Sequence, residues 1–143
     1  MESVDFEFVP HTADIAIRAR ARDLAGLARA LALGLSAAAL GWDTLQPYRA
    51  AGAVARPVSC GEAPDPEGLL VDFLNELLFQ MDANAEVYTD VQVGQCDPSR
   101  GLTALAYPDP ALRPTHGIKA ATHHGVRLRE ERGGMELTVV FDV

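Results

Sequence analysis

Polar side chains gather in four segments of a chain that is 48% hydrophobic, and each suggests a chemistry. Near the start, His11-Thr12-Ala13-Asp14 offers an imidazole, a hydroxyl and a carboxylate at what reads as a turn between two strands. Turns favour Asp and Thr for local hydrogen bonds, so a structural role competes there with a ligand cluster at a loop tip. At the other end, Phe141-Asp142-Val143 sets an acidic side chain beside the terminal carboxylate, after the apolar run Val139-Val140-Phe141. Like charges a few ångströms apart repel, and a hard cation with oxygen ligands relieves the repulsion. A solvated, frayed terminus is the plainer alternative, and it weakens if Asp14 meets Asp142 in space.

The third segment, Thr115 to Gly125, reads THGIKAATHHG and holds the only Lys, Lys119, and three of the four His. Zinc is the obvious thought for His11, His116, His123 and His124, yet no HExxH or Cys/His pair occurs. His123 and His124 are neighbours and would point to opposite faces if extended, which opposes one closed site. Hydrogen-bonded or solvent-facing histidines are the default, with a proton-carrying role open to one of them. The fourth segment is LLVDFLNELL, residues 69–78, where Asp72 and Glu76 at i,i+4 read as the solvated face of an amphipathic helix. Neither GxxxxGK[ST], GxGxxG nor GxSxG is present, so nucleotide-loop and nucleophile-elbow templates do not apply.

Strands and helices must position these groups. Residues 4–10 and 14–20 alternate as half-buried strands. Asp23 then caps a helix whose apolar face is Leu24, Leu27, Ala28, Leu31 and Leu35, ending at Gly41. The pattern weakens over 42–65, with a strand expected at 53–59 and a Pro- and Gly-rich surface connection at 61–68. Pro66 and Glu67 open a second helix striped by Leu70, Leu74, Leu77, Leu78 and Met81. Strands follow at 87–93 and 102–106, then a loop over 107–114. Two long strands, 118–129 and 135–143, flank the hairpin signal Gly133-Gly134 and should pair antiparallel. Strand runs broken by two separated helices predict an α+β fold, two helices packed on a mainly antiparallel sheet.

At 143 residues the chain suits one domain over 1–143. The charge is −8, from 12 Lys+Arg against 20 Asp+Glu, and a field of that sign repels phosphate backbones and anionic membranes. Autonomous nucleic-acid binding is therefore not expected, and neither a membrane span nor a signal peptide is indicated. Cys60 and Cys96 form no CxxC pair; free thiols in a reducing cytoplasm are expected, although the sequence leaves a disulfide between them open. Eleven of the twelve basic residues are Arg. Compositional drift explains the Arg, but a lone Lys survives best where a compact ammonium cannot be replaced by a planar fork.

Together and in order, FVPHTADIAI, LLVDFLNELL, IKAATHHGVRL and the terminal FDV resemble the archease family across essentially the whole chain. The resemblance implies an α+β fold and a role as activating partner of the RtcB-type RNA-splicing ligase. Such a partner is not itself an enzyme: it promotes guanylylation of the ligase and multiple turnover in tRNA splicing or RNA repair, and widens the usable nucleoside triphosphates. The family's metal ligands carry over to Asp14, to Asp142 and to the backbone of Val143, and its functional lysine carries over to Lys119. An all-oxygen site suits Ca²⁺ first, with Mg²⁺ or Mn²⁺ possible. His123 stands where many relatives have Tyr, Phe73 where Trp is frequent, and 42–68 matches least. The competing classes are a stand-alone metal-dependent hydrolase, and a general chaperone or RNA-binding module.

Overall fold

The structure, a computed structural model, describes residues 3–11 and 14–143. Ten elements run in the order β1 (Asp5–Val9), β2 (Ile15–Ala21), α1 (Leu24–Leu40), β3 (Arg56–Cys60), α2 (Pro66–Asn84), β4 (Tyr88–Asp97), β5 (Gly101–Pro108), β6 (Ala120–Ala121), β7 (Arg129–Glu131) and β8 (Gly134–Asp142). Helix α1 starts and stops where its sequence signals lie, and α2 starts at Pro66 as expected but ends at Ala85, left-handed at φ 51°, a stop that the sequence does not signal. The Asp23 carboxylate accepts the Gly26 amide at 2.8 Å, and Asp65 accepts that of Gly68 at 2.7 Å with Pro66 next in the chain. Gly41 ends α1 in the left-handed conformation, φ 70°.

The fold is α+β, with two helices and all strand pairs antiparallel, but the strands form two sheets instead of one. One orders β1-β2-β8-β6, with β7 also on β8; the other orders β3-β5-β4. The cause lies in α1, whose residues from Leu27 to Leu40 are buried on nearly every side, Arg29 excepted. A helix apolar all round needs cover on more than one face. It finds β2 on one side and β4 on the other, so the two sheets enclose it. In the larger sheet Ile15, Ile17 and Ala19 of β2 register with Phe141, Val139 and Leu137 of β8, and this inner face joins the core with Leu31, Phe73 and Leu74.

The expected strand over 118–129 is broken. Only Ala120–Ala121 and Arg129–Glu131 pair with β8, because Gly125 turns the chain at φ 61° and residues 123–128 leave the ladder. The Gly133-Gly134 hairpin joins β7 to β8 antiparallel as expected. Several other strands begin or end a few residues from their expected limits; β5 for one takes in Tyr107 and Pro108, at the start of the expected loop. Among the described residues no helix is long and apolar enough to cross a membrane.

Cys60 and Cys96 are free thiols, each registered opposite Leu102 from the two strands that flank β5. One whole strand separates them, about 10 Å between backbones. That exceeds the reach of a disulfide without backbone movement. Burial raises both thiols, Cys96 to about 11.

Candidate functional site

The two faces of the larger sheet differ because side chains alternate along each strand. Its outer face carries Asp5 and Glu7 on β1, Arg18 and Arg20 on β2, and Glu136 and Thr138 on β8. At the β7 end these charges pair. Glu7 lies 3.0 Å from Arg18 and 3.4 Å from Arg20, and Glu136 accepts from Arg20 Nε at 2.9 Å. Arg18 Nε is buried 3.6 Å from Glu136, too long for a hydrogen bond.

At the opposite end of the same face the pairing stops. The register Ile15↔Phe141 makes Asp14 and Asp142 the next residues on adjacent strands. Both line one cleft of about 480 Å³, with His11, His124, Gly125 and Thr138 around them. Among the described residues neither carboxylate has an Arg or Lys partner; the contact present is His11 Nδ1 to Asp14 at 3.8 Å. Asp14 is about one-third exposed and Asp142 lies at the surface. Thr12 and Ala13, the middle of the first motif, lie outside the described residues.

Lys119 approaches from the far side of β8. Its backbone amide donates to the Asp142 carbonyl at 2.8 Å, and the following residue, Ala120, registers with Asp142. The side chain is exposed. Two further anchors hold this segment. Upstream, the Thr115 and His116 amides donate to the Ala39 carbonyl at 2.8 and 3.0 Å, satisfying an acceptor that the last turn of α1 leaves open. Downstream, Thr122 donates to the Val140 carbonyl through both its amide and its hydroxyl, each at 2.9 Å.

Three segments distant in the chain therefore bring Asp14, Asp142 and the backbone of Lys119 to one end of one sheet. Val143 is next in line and 46% exposed. The histidines are not brought together: His11 and His124 line the cleft, His116 packs on Gly41, and His123 is exposed. Sequence reasoning missed Thr138 and Gly125 as lining residues and did not single out Asn75 within LLVDFLNELL. The Asn75 carboxamide bonds Ala121 twice, and its spacing was the available signal, since it falls four residues after Val71 and three before Leu78, both buried.

Among the described residues no three His, Cys, Asp or Glu side chains sit together as a ready metal group. The cleft lining offers the Asp14 and Asp142 carboxylates and the Thr138 hydroxyl with the imidazoles of His11 and His124, and the two carboxylates, with no Arg or Lys beside them among the described residues, are hard oxygen ligands of the kind Ca²⁺, Mg²⁺ and Mn²⁺ take. The donor chemistry fits a hard ion that completes its shell with backbone oxygen and water. A larger hollow, about 600 Å³, lies at the N-terminal end of α1 beside Arg20, Arg22 and Arg29. Two of its arginines already face carboxylates, Arg20 with Glu136 and Arg29 with Asp90. The smaller cleft keeps the unbalanced charge.

Residues 6–143 match the model of the archease protein family. Among curated proteins the chain is 31% identical to protein archease of Methanosarcina mazei and, equally, to that of Methanosarcina acetivorans; each alignment covers 96% of this chain and 95% of the relative. Its fold is similar to the solution structure of Methanobacterium thermoautotrophicum protein 1598, at TM-score 0.69 and 26% identity, covering 96% of this chain and 98% of that one.

Proposed function

The chain belongs to the archease family, and on that premise we propose that it is an activating partner of an RtcB-type RNA ligase, not a ligase itself. In this reading it acts in the cytoplasm and promotes guanylylation of the ligase and repeated turnover in tRNA splicing or RNA repair. The observation that carries the reading is the convergence of Asp14, Asp142 and the Lys119 backbone at one sheet end. These are the residues that the resemblance singles out, and they come from three separate segments.

The Asp14 and Asp142 carboxylates, with the backbone of Val143, would hold a hard divalent ion, Ca²⁺ first among the candidates. Such an ion supplies positive charge for phosphate oxygens at the ligase's nucleotide pocket. Lys119 presents a mobile ammonium beside it, suited to a phosphate oxygen or a ligase carboxylate. His11 lies 3.8 Å from Asp14, near enough to bias its charge but too far for a hydrogen bond. The net charge of −8 suits docking onto a basic, RNA-binding partner, so association should slow as salt rises.

The test is stimulated guanylylation of the ligase by Asp14→Ala, Asp142→Ala and Lys119→Arg. Each should lose most of the stimulation, and wild-type stimulation by all three overturns the reading. The His11–Asp14 contact is what a stand-alone metal-dependent hydrolase would use as its base. Turnover of a phosphoester by the isolated protein, with no ligase present, would favour that alternative.

A further inference from the structure

Strand β6 is two residues long and forms the edge of the larger sheet. So short a strand has little ladder of its own, and an edge strand normally leaves outward amides and carbonyls unpaired. Here the outward groups of Ala121 are paired by a helix. The Ala121 amide donates to Asn75 Oδ1 at 2.8 Å, and Asn75 Nδ2 donates to the Ala121 carbonyl at 3.1 Å. A primary carboxamide has one acceptor and a donor in the arrangement of a peptide unit, so Asn75 stands where a further strand would. Its mount is rigid: Val71 and Leu78, on either side of it along α2, are buried in the core.

We propose that Asn75 is a positioning residue for Lys119. By clamping Ala121 from the side opposite β8, it fixes the backbone two residues before it, where the Lys119 amide is tied to Asp142. With the Ala39 anchor at Thr115 and His116, Lys119 is held between the ends of two helices' reach, and its ammonium starts from a fixed base beside Asp142. Asn suits the place by elimination. Asp lacks the donor and sets an oxygen against the Ala121 carbonyl, Leu lacks both groups, and Gln is one methylene longer. The proposal rests on the reading of Lys119 given above.

The test combines amide exchange in the free protein with a double-mutant cycle in stimulated guanylylation. In Asn75→Leu, the Ala121 amide should exchange about tenfold faster or more, as expected for the loss of two hydrogen bonds, while the β2–β8 amides stay unchanged. Stimulation at saturating activator should fall about tenfold or more, because small misplacements of a working group are expensive. The double variant Asn75→Leu/Lys119→Ala should be no worse than Lys119→Ala alone, since a residue acting through Lys119 has nothing left to position. Should Asn75→Leu fail to fold, Asn75→Asp carries the same cycle. Additive losses, unchanged exchange at Ala121, or full stimulation by Asn75→Leu when Lys119→Ala is inactive would each overturn the proposal. Full stimulation by Lys119→Ala removes the parent reading and this one together, whereas an inactive Lys119→Ala with an active Asn75→Leu removes this one alone.

Discussion

Asp90 and the pair Asp14/Asp142 show two opposite uses of a carboxylate in one molecule. Asp90, on β4, is fully buried, and it receives Arg29 from α1 and Arg49 from the connection after α1, each at 3.0 Å. Its own Oδ1 also accepts the Val91 amide at 2.8 Å, and Arg49 stacks over the Tyr107 ring at 4.0 Å. Asp14 and Asp142 sit in an open cleft with His11 as the polar contact. A buried carboxylate must be compensated inside the fold. One that is open to solvent needs no partner inside the fold, and the role proposed for Asp14 and Asp142 uses that freedom to take a hard cation.

Four substitutions or ligand additions probe the two kinds of carboxylate, in falling order of effect. Asp90→Ala leaves two guanidinium groups without their partner, and unfolding free energy by denaturant titration should drop by about 3–5 kcal/mol; a loss under ~1 kcal/mol would place Asp90 in the same class as the cleft acids. Next, Ca²⁺ at about 100 times its dissociation constant should stabilise the wild type by roughly 2.7 kcal/mol, and Asp14→Asn or Asp142→Asn should abolish that gain. Without the ion the same two variants should stay within ~0.5 kcal/mol of wild type. An unchanged thermal shift in both would remove the metal from the site.

Glu136 lies between these extremes, paired on the half-exposed outer face. Glu136→Ala should cost about 0.5–1 kcal/mol, measured in low salt and again in high salt, where the loss shrinks. The smallest effect belongs to Glu86. The Arg56 guanidinium, 2.6 Å away, holds its carboxyl below the usual range, helped by the Tyr88 hydroxyl and opposed by burial. A depressed acid contributes stability above its unfolded value, so the contribution should fade as pH drops below about 4.5 and vanish beneath the folded value. Arg56→Ala should flatten that part of the stability–pH curve by a few tenths of a kcal/mol.

Local chemistry made much of this fold legible. Asp23, Gly41, Pro66 with Glu67, and Gly133-Gly134 act on near neighbours, and each marks an element boundary or turn where the structure has one. The division into two sheets was not legible, because it depends on how many faces of α1 need cover, a sum over the whole chain. The strand expected at 118–129 failed for a related reason. Its alternation is genuine, but a pattern of period two does not say whether a partner lies alongside, and the pairing with β8 is kept at Ala120, Ala121 and Arg129 and lost between them. Of the candidate site, Asp14 stood out in a polar turn and Asp142 as an acid after an apolar run, and the register of β2 on β8 brings them to adjacent places. The Asn75 clamp did not stand out, since a single amide within a helical stripe looks the same whether it faces water or a strand.

Helix α1 also sets a length and a phase. Its 17 residues span about 25 Å, from the Asp23 cap beside the arginine-lined hollow to the Ala39 carbonyl that receives Thr115 and His116. One residue inserted between 24 and 40 would advance that carbonyl by about 1.5 Å and swing it through roughly 100°. Gly41, against whose missing side chain the His116 ring lies, would swing with it. The chain leading to Lys119 would lose its mooring, and the buried faces of α1 would turn against both sheets at once, so the helix whose packing holds the core together also sets where the cleft's lysine segment is tied.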